Sequence, residues 1–528
     1  MISARGVFAL SAAVALASCQ TAITQIDLPD LLVMNGTLHD GGGNQGRIAS
    51  VVIDEGRIVR IVPQGADLPV AEQVIDARGL VIAPGFIDPH THADSDLASE
   101  DVSRRANLPF AFQGVTTVVV GNDGFGTPDI AAQANAAEAA GIGTNVAYLA
   151  GFGPIREMVM GDANRAPTGS ELAEMKALTR QAMCEGAWGF SSGLYYVPQN
   201  YAATDEVIEL AKDAAALGGY YDTHMRDEST YNITVEGALS EALTIGREAG
   251  LPVHIAHIKA LGPSVWGHST KMIAMIENAQ ATGQRVTADQ YPWAASGTRV
   301  SNALVPRWAL EGGLDSLRAR LSNPEVAARI RDGIADGLER RGGAGRLLVT
   351  GRLHGASVPV GLTLQELAEQ RGLSPVEAAV AILMDGDARL ASFNMNPEDI
   401  AAFAKQEWVV TGSDGSTGHP RKYASFPKAY QDLVNDEDGM SMAEFVARSS
   451  ARTADIIGLT DRGRIEPGLA ADIVVFDPVS FAPRATYQSP RELSAGVRYL
   501  IVNGVALIRD GEYSGALPGS PLLKATPC

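Results

Sequence analysis

GFIDPHTHADSD, residues 85–96, follows directly on the apolar run LVIA at residues 80–83. His90 and His92 stand two positions apart, and residues i and i+2 of an extended chain point to the same side. Both imidazoles can therefore reach one metal ion at the end of a strand. A polar turn that contains two histidines by chance has the same local pattern, so the rest of the chain has to distinguish the two.

Further apolar segments of this kind follow through the middle of the chain. With the first, the eight are GLVIAPGFID, GVTTVVVGND, TNVAYLAG, AWGFSSGL, GGYYDTHM, LPVHIAHI, RVTADQY and EWVVTGSD. Helical patterns such as ATDEVIELAKDAAALG separate them. Strands that alternate with helices in this number predict an α/β fold, a (β/α)₈ TIM-like barrel, over residues 85–463.

The remaining residues are assigned to two accessory parts. A barrel of this kind needs roughly 250 residues, so the surplus is predicted to be an insertion at about residues 292–350. This insertion precedes barrel strand 8 and is expected to cover the active face as a lid. Residues 28–84 and 464–528 contain short β-like runs broken by Gly, Asn and Asp. Both ends of the chain are therefore predicted to build one small β-sandwich domain.

The first residues predict export. One positive charge near the start is followed by VFALSAAVALA and then by LASC, which ends at Cys19. This pattern resembles a bacterial lipoprotein signal over residues 1–19, with cleavage before Cys19 and lipid on its thiol. The expected location is the periplasm, with the membrane contacted only through that anchor. An ordinary secretory signal that happens to precede a cysteine is the alternative.

Charge and cysteine content exclude some functions. A formal net charge of -19 argues against a nucleic-acid partner, because such a surface repels phosphates. The cysteines, which are Cys19, Cys184 and Cys528, make neither a disulfide framework nor a cysteine-rich zinc site. A metal ion would have to be held by His, Asp or Glu.

Polar residues follow the predicted strands at the point where each strand ends. They are His90 and His92 after strand 1, Asp123 after strand 2, His224 after strand 5, His257 and Lys259 after strand 6, and Asp414 after strand 8. The C-terminal ends of barrel strands meet at one mouth, so these side chains are expected to converge. Imidazole and carboxylate ligands suit zinc or another divalent metal in a hydrolytic site. Asp414, in TGSDG, is the candidate general acid/base, with a simple turn aspartate as the alternative.

The chain resembles the amidohydrolase superfamily and, within it, the N-acyl-D-amino-acid deacylases (D-aminoacylases). The motifs that carry the resemblance are FSSGLYYVPQNYA, THMRDES, HIAHIKALG, DQYPW and TGSDGSTGHPRKYASFPK. It implies one metal site at His90 and His92, a zinc site at His224 and His257, and Asp414 as the general acid/base. It also implies a substrate-binding set, which is Arg421 for the substrate carboxylate, Tyr196, Tyr291 and Lys259.

One position departs from the family pattern. D-aminoacylases usually carry a cysteine after strand 2, where this chain has Asp123 in the sequence Gly-Asn-Asp-Gly. Strand 4 offers no lysine that could bridge two metals in its place. Asp123 is therefore predicted to substitute as the ligand, because a carboxylate can bind one metal or span two. The sequence leaves open whether one or two zinc ions, or another divalent metal, are bound.

The predicted function is a metal-dependent hydrolase of N-acyl-amino acids that yields a carboxylic acid and a free amino acid. The D configuration rests wholly on the resemblance. A cyclic-amide hydrolase of the hydantoinase or dihydropyrimidinase kind and a periplasmic peptidase are the enzymatic alternatives. A non-catalytic amidohydrolase-like scaffold is the alternative from another class, but such proteins typically lack the metal histidines. The expected partner is a small molecule, and the oligomeric state is not predicted.

Overall fold

A computed structural model describes Met1, residues 28–434 and residues 439–528. The predicted signal segment, Cys19 included, lies outside the described residues apart from Met1. None of the helices in the described part of the chain is both long enough and apolar enough to span a membrane.

The N-terminal part of the small domain consists of short, half-buried strands. They are β1 (Leu31–Leu38), β2 (Arg47–Asp54), β3 (Arg57–Pro63), β4 (Gln73–Asp76) and β5 (Val81–Pro84). Strands β2 and β3 are antiparallel and joined by the two residues Glu55 and Gly56, which both have positive φ. A type I′ hairpin turn requires that backbone, and glycine adopts it without steric cost.

The first seven barrel strands come next, each hydrogen-bonded in parallel to its neighbour. They are β6 (Phe86–Asp88), β7 (Val115–Val120), β8 (Asn145–Gly151), β9 (Gly189–Gly193), β10 (Tyr220–His224), β11 (Val253–Ile255) and β12 (Val286–Gln290). The helices of this part are α1 (Asp94–Leu97), α2 (Val102–Arg105), α3 (Leu108–Ala111), α4 (Ile130–Ala140), α5 (Phe152–Met160), α6 (Gly169–Cys184), α7 (Thr204–Ala216), α8 (Val235–Ala249) and α9 (Ser269–Ala281). The strands are buried on both faces, which explains their nearly continuous apolar sequences.

The insertion after β12 is larger than predicted. Its sheet consists of β13 (Ser296–Arg299), β14 (Leu347–Leu353) and β15 (Asp387–Ser392), all antiparallel and in the order β13-β15-β14. Its helices are α10 (Val300–Leu304), α11 (Gly313–Leu321), α12 (Pro324–Arg340), α13 (Leu364–Arg371) and α14 (Pro375–Asp385). The predicted end at about residue 350 is wrong, because β14 pairs with β15. Helices α13 and α14 resemble barrel helices in sequence, and the pairing of β15 cannot be read from spacing.

The eighth barrel strand, β16 (Val409–Thr411), pairs with β12 and is followed by the loop that leads back to β6. Closure occurs just beyond the strands, where Thr91 and Gly415 form a parallel bridge. The Asp414 N–H donates to the His90 carbonyl at 2.9 Å. The helices of this part are α15 (Pro397–Ala404), α16 (Arg421–Val434), α17 (Met442–Ser449) and α18 (Ala451–Ile457). The predicted TIM-like barrel is confirmed.

The C-terminal strands complete the small domain. They are β17 (Ile473–Phe476), β18 (Val497–Val502), β19 (Val505–Arg509) and β20 (Glu512–Tyr513), and β17 pairs antiparallel with β5. The resulting sheet packs around one apolar core. The Ile58 N–H donates to the Leu469 carbonyl at 2.9 Å, and this hydrogen bond links β3 back toward β17. The predicted β-sandwich from both ends of the chain is confirmed.

The last residues leave the small domain, contrary to the predicted extent of 464–528. Strand β21 (Pro521–Leu522) pairs in parallel with β8 of the barrel. The Trp188 indole N–H donates to the Leu522 carbonyl at 2.7 Å. Cys528 then forms a disulfide with Cys184 at the end of α6, a pairing over 344 residues that spacing does not predict. The tail is thus tied to the outside of the barrel.

Candidate metal centre and active site

The C-terminal ends of the barrel strands open into one cavity of about 400 Å³. The insertion contributes part of its wall, so the cavity lies between the barrel mouth and the sheet of β13 to β15. Site residues predicted from the sequence line it, namely His92, Asp123, Tyr196, His224, His257, Lys259, Tyr291, Asp414 and Arg421. His90 lies just below and is fully buried.

Asp123 stands at the centre of four imidazoles. Its Oδ1 lies 3.4 Å from His90 Nε2, 3.4 Å from His257 Nε2 and 3.6 Å from His224 Nδ1. Its Oδ2 lies 3.6 Å from His92 Nε2. Two metal-binding groups result, one of His90, His92 and Asp123 and the other of Asp123, His224 and His257. The carboxylate is the ligand that the two groups share.

The donor atoms fit a metal ion better than they fit each other. Among the described residues, His90 Nε2 and Asp123 Oδ1 are buried without a hydrogen-bond partner. The His224 Nδ1 and His257 Nε2 atoms are 3.0 Å apart. Zinc–nitrogen bonds of about 2.0 Å in a tetrahedral site place two imidazole nitrogens at about this separation. Buried polar atoms without hydrogen-bond partners are rare, and a bound metal ion would explain those found here.

The electrostatics favour a bound cation. Burial lowers the pKa of His90 to about 4, against the opposing effect of Asp123, so that imidazole is neutral and able to ligate. Burial and Lys259 act to lower the pKa of His257, but Asp414 and Asp123 outweigh them and raise it to about 10. The negative charge that holds a proton on His257 would equally hold a metal ion.

The backbone at three residues of the site is unusual. Asp123, His257 and Asp414 have φ values of 57°, 37° and 47°, in the left-handed region. Residues other than glycine adopt this region at a cost of about 1–3 kcal/mol each, and such residues cluster at functional sites. Asp123 is the residue with left-handed backbone inside the short turn Asn122–Gly124 directly after β7.

Comparison with known proteins fits this arrangement of ligands. A model of the Amidohydrolase family matches residues 73–508. The chain belongs to the amidohydrolase family. It is 32% identical over 525 residues to the D-aminoacylase of Alcaligenes xylosoxydans xylosoxydans. This alignment covers 94% of this chain and 98% of the relative. It is 33% identical over 522 residues to the N-acyl-D-aspartate deacylase of the same organism, with 93% and 95% covered.

One solved structure shares the whole architecture. The N-acyl-D-glutamate deacylase of Bordetella bronchiseptica was crystallised with zinc and a phosphonate inhibitor that mimics the tetrahedral intermediate of the reaction. Its TM-score is 0.80 at 30% identity, with 94% of this chain and 100% of that chain covered. These relatives confirm the resemblance to the N-acyl-D-amino-acid deacylases.

Within this amidohydrolase site, Asp414 lies between the metal ligands and a cation. Its Oδ1 is 3.2 Å from His92 Nε2, and its Oδ2 is 2.6 Å from Arg421 Nη1. Burial acts to raise the pKa of Asp414, but Arg421 and His257 hold it well below its usual range. The Arg421 guanidinium also lies over the Tyr291 ring, 4.9 Å from its centre. Asp414 is therefore ionised and able to accept a proton.

The other predicted pocket residues have separate neighbours. Tyr196 packs its ring 4.7 Å from that of His224. Lys259 is buried, with Nζ 2.7 Å from His257 Nδ1 and 2.6 Å from Glu228 Oε1. Tyr291 is buried and lies against both Lys259 and Arg421.

Two carboxylates at the site were not predicted. Glu228, in THMRDES four residues after His224, lies 3.3 Å from His257 Nδ1 and pairs with Lys259. Asp289, in β12, accepts the His257 N–H at 2.9 Å and lies 3.3 Å from His254 Nε2. Glu228 contacts the ring of a ligand histidine, as outer-shell carboxylates commonly do, whereas Asp289 holds the backbone of His257. Asp289 could have been predicted from its position in DQYPW, at the end of a barrel strand.

Proposed function

We propose that this protein is a zinc-dependent deacylase that hydrolyses the amide bond of N-acyl-D-amino acids to a carboxylic acid and a free D-amino acid. The observation that carries the proposal is one carboxylate, Asp123, placed among four histidines beside an ionised Asp414. The relatives named for deacylation of D-amino acids support the choice of substrate. The complete ligand set opposes a non-catalytic scaffold.

The site residues predicted from the sequence each have a place in this chemistry. His90, His92, Asp123, His224 and His257 would hold one or two zinc ions. Bound zinc makes water a nucleophile near neutral pH and polarises the acyl carbonyl. Asp414 Oδ1 takes the proton of the attacking water and delivers it to the amide nitrogen as the C–N bond breaks. Tyr196, Tyr291 and Lys259 border the space for the substrate.

The test of the function is a panel of N-acetyl D- and L-amino acids, assayed with the metal content measured on the same sample. Zinc-dependent turnover of D-substrates, with little turnover of their L-enantiomers, supports the proposal. Turnover confined to L-substrates, to hydantoins and dihydropyrimidines, or to dipeptides would replace it with the corresponding alternative. Absence of metal and of activity after zinc or manganese addition would favour a scaffold.

Arg421 is proposed to bind the substrate α-carboxylate. Its planar fork suits two parallel hydrogen bonds, and its Nε has no hydrogen-bond partner among the described residues. We expect Arg421→Lys to raise KM by about tenfold or more with a smaller change in kcat, because a charge-assisted hydrogen bond is lost. Steady-state kinetics measure this. An N-acyl amine without a carboxylate is the matched control, and an unchanged KM for the acid would remove the role.

Export with a lipid on Cys19 is also proposed. The Cys184–Cys528 disulfide supports it, since disulfides persist mainly in oxidising compartments such as the periplasm. Cells that produce the protein are expected to incorporate labelled palmitate into the wild type and into Cys184→Ala, but not into Cys19→Ala. Equal labelling of Cys19→Ala, or no labelling of the wild type, would contradict the anchor.

A further inference from the structure

A large apolar side chain, Phe125, is exposed inside the cavity. Phe125 lines the cavity wall, and 46% of its surface is accessible. It takes no part in the buried apolar clusters formed by residues 28–434 and 439–528. Its ring packs only from one side against Tyr196, with the ring centres 5.1 Å apart. The fold therefore leaves a phenyl face open to the molecule that occupies the cavity.

The turn that carries Phe125 is fixed to the barrel. The Gly151 N–H, at the end of β8, donates to the Gly126 carbonyl at 2.9 Å. A Cβ on Gly126 would lie 2.1 Å from the Leu149 carbonyl oxygen, so the backbone of the turn packs directly against β8. The turn thus holds the phenyl ring in one place at the cavity, only two residues after Asp123.

Phe125 and Tyr196 lie across the metal ligands from Arg421. Phe125 follows barrel strand 2 (β7), and Tyr196 follows strand 4 (β9). Arg421 follows strand 8 (β16) and lies over the ring of Tyr291, which comes directly after strand 7 (β12). Strand 3, between strands 2 and 4, is half a turn of the eight-stranded barrel away from strand 7. The aromatic pair and the arginine therefore lie on opposite sides of the site.

This placement relates the aromatic pair to one part of the substrate. The carbonyl carbon of the amide carries the acyl substituent on one side. On its other side it carries the amide nitrogen, with the α-carbon, the amino-acid side chain and the α-carboxylate. With the α-carboxylate on Arg421 and the carbonyl at the metal ligands, the acyl substituent extends away from Arg421, toward Phe125 and Tyr196. Aromatic rings bury a large apolar area and pack well against a further ring.

We propose that Phe125, together with Tyr196, forms an acyl subsite that selects N-acyl-amino acids with a bulky apolar acyl group, such as phenylacetyl, over their N-acetyl counterparts. This inference rests on the proposed deacylase function and specifies the acyl part of its substrate. Phe125 is a specificity-determining residue in this arrangement, because its ring contacts the acyl substituent and not the bond that is broken.

The test varies the acyl group and the amino acid separately on the full-length zinc enzyme. N-phenylacetyl-D-alanine should have a kcat/KM at least about tenfold higher than N-acetyl-D-alanine, because a single methylene group in an apolar pocket is worth about 10–200-fold. Phe125→Ala should lower this acyl ratio by about tenfold. N-acetyl-D-phenylalanine against N-acetyl-D-alanine gives a side-chain ratio, which Phe125→Ala should not change, since the side chain lies on the Arg421 side of the carbonyl.

Matched controls separate the acyl contact from a general effect on the protein. Phe125→Leu keeps an apolar side chain and should retain part of the acyl ratio. Met158→Ala removes an exposed apolar side chain of α5, away from the cavity, and should keep the wild-type ratio. An acyl ratio of one in the wild type, or one that Phe125→Ala leaves unchanged, would overturn the subsite and leave the deacylase function intact. A change in the side-chain ratio alone would overturn it as well.

Binding decides the subsite if no N-acyl substrate is turned over and the proposed function fails. The probes are phenylacetate and acetate, the acids that the two acyl groups would release, titrated calorimetrically into the zinc-loaded protein. Tighter binding of phenylacetate that is lost in Phe125→Ala would support the apolar subsite without the function. Equal binding of the two acids would overturn the subsite together with the function.

Discussion

Substituting Asp414 with asparagine is expected to lower kcat by about 10³-fold with zinc content unchanged. General acid–base groups contribute about 10²–10⁴-fold, and the amide of asparagine can neither accept the proton of the attacking water nor return it to the leaving nitrogen. The substitution keeps the shape of a buried side chain that contacts Arg421. Steady-state kinetics and metal analysis on one preparation measure both quantities.

The control for this substitution is Asp432→Asn, which changes an exposed carboxylate of α16 that pairs with Lys428. It should retain wild-type kcat and zinc. Retention of more than a tenth of the activity by Asp414→Asn would show that another group moves the proton. A loss of zinc in proportion to the loss of activity would assign Asp414 to metal binding instead.

Substituting Asp123 with alanine is expected to have the second large effect, loss of both metal and activity. Even an outer-shell partner of a metal ligand is worth about 10–100-fold in affinity, and Asp123 is the ligand common to both metal-binding groups. We expect zinc affinity to fall by at least about a hundredfold. Competition with a chelator measures the affinity, and kcat is followed at each zinc concentration.

The series at this position should also include Asp123→Cys. A thiolate binds zinc well, so this variant should retain zinc and measurable activity. Alanine and cysteine variants with the same zinc content and rate as the wild type would remove Asp123 from the metal centre. Loss of metal in both variants would show that a carboxylate in particular is required.

Much of the site could be predicted from two local features of the sequence, which are the apolar strands and the polar residues at their C-terminal ends. Strands buried on both faces have continuous apolar sequences, and their C-terminal ends define where His90, His224, His257 and Asp414 meet. These inferences needed only periodicity and the rule for barrel mouths.

The rest depends on contacts between distant segments. Glu228 lies in a loop, where no periodicity fixes the direction of a side chain. Strands β13 and β15 pair residues that stand 90 or more positions apart, inside an insertion whose end was predicted too early. The disulfide of Cys184 and Cys528 and the return of β21 to the barrel likewise join parts of the chain that share no local pattern.

We expect Asp123 to be the shared ligand of the metal centre that activates the amide for hydrolysis. Anomalous diffraction at the zinc edge, from crystals of the zinc-loaded enzyme, tests it most directly. We expect an ion at bonding distance, about 2.0–2.2 Å, from an Asp123 oxygen and from His224 and His257. Any second ion should bind the same carboxylate together with His90 and His92. Zinc bound without contact to Asp123, or bound away from these histidines, would show that Asp123 is not the shared ligand.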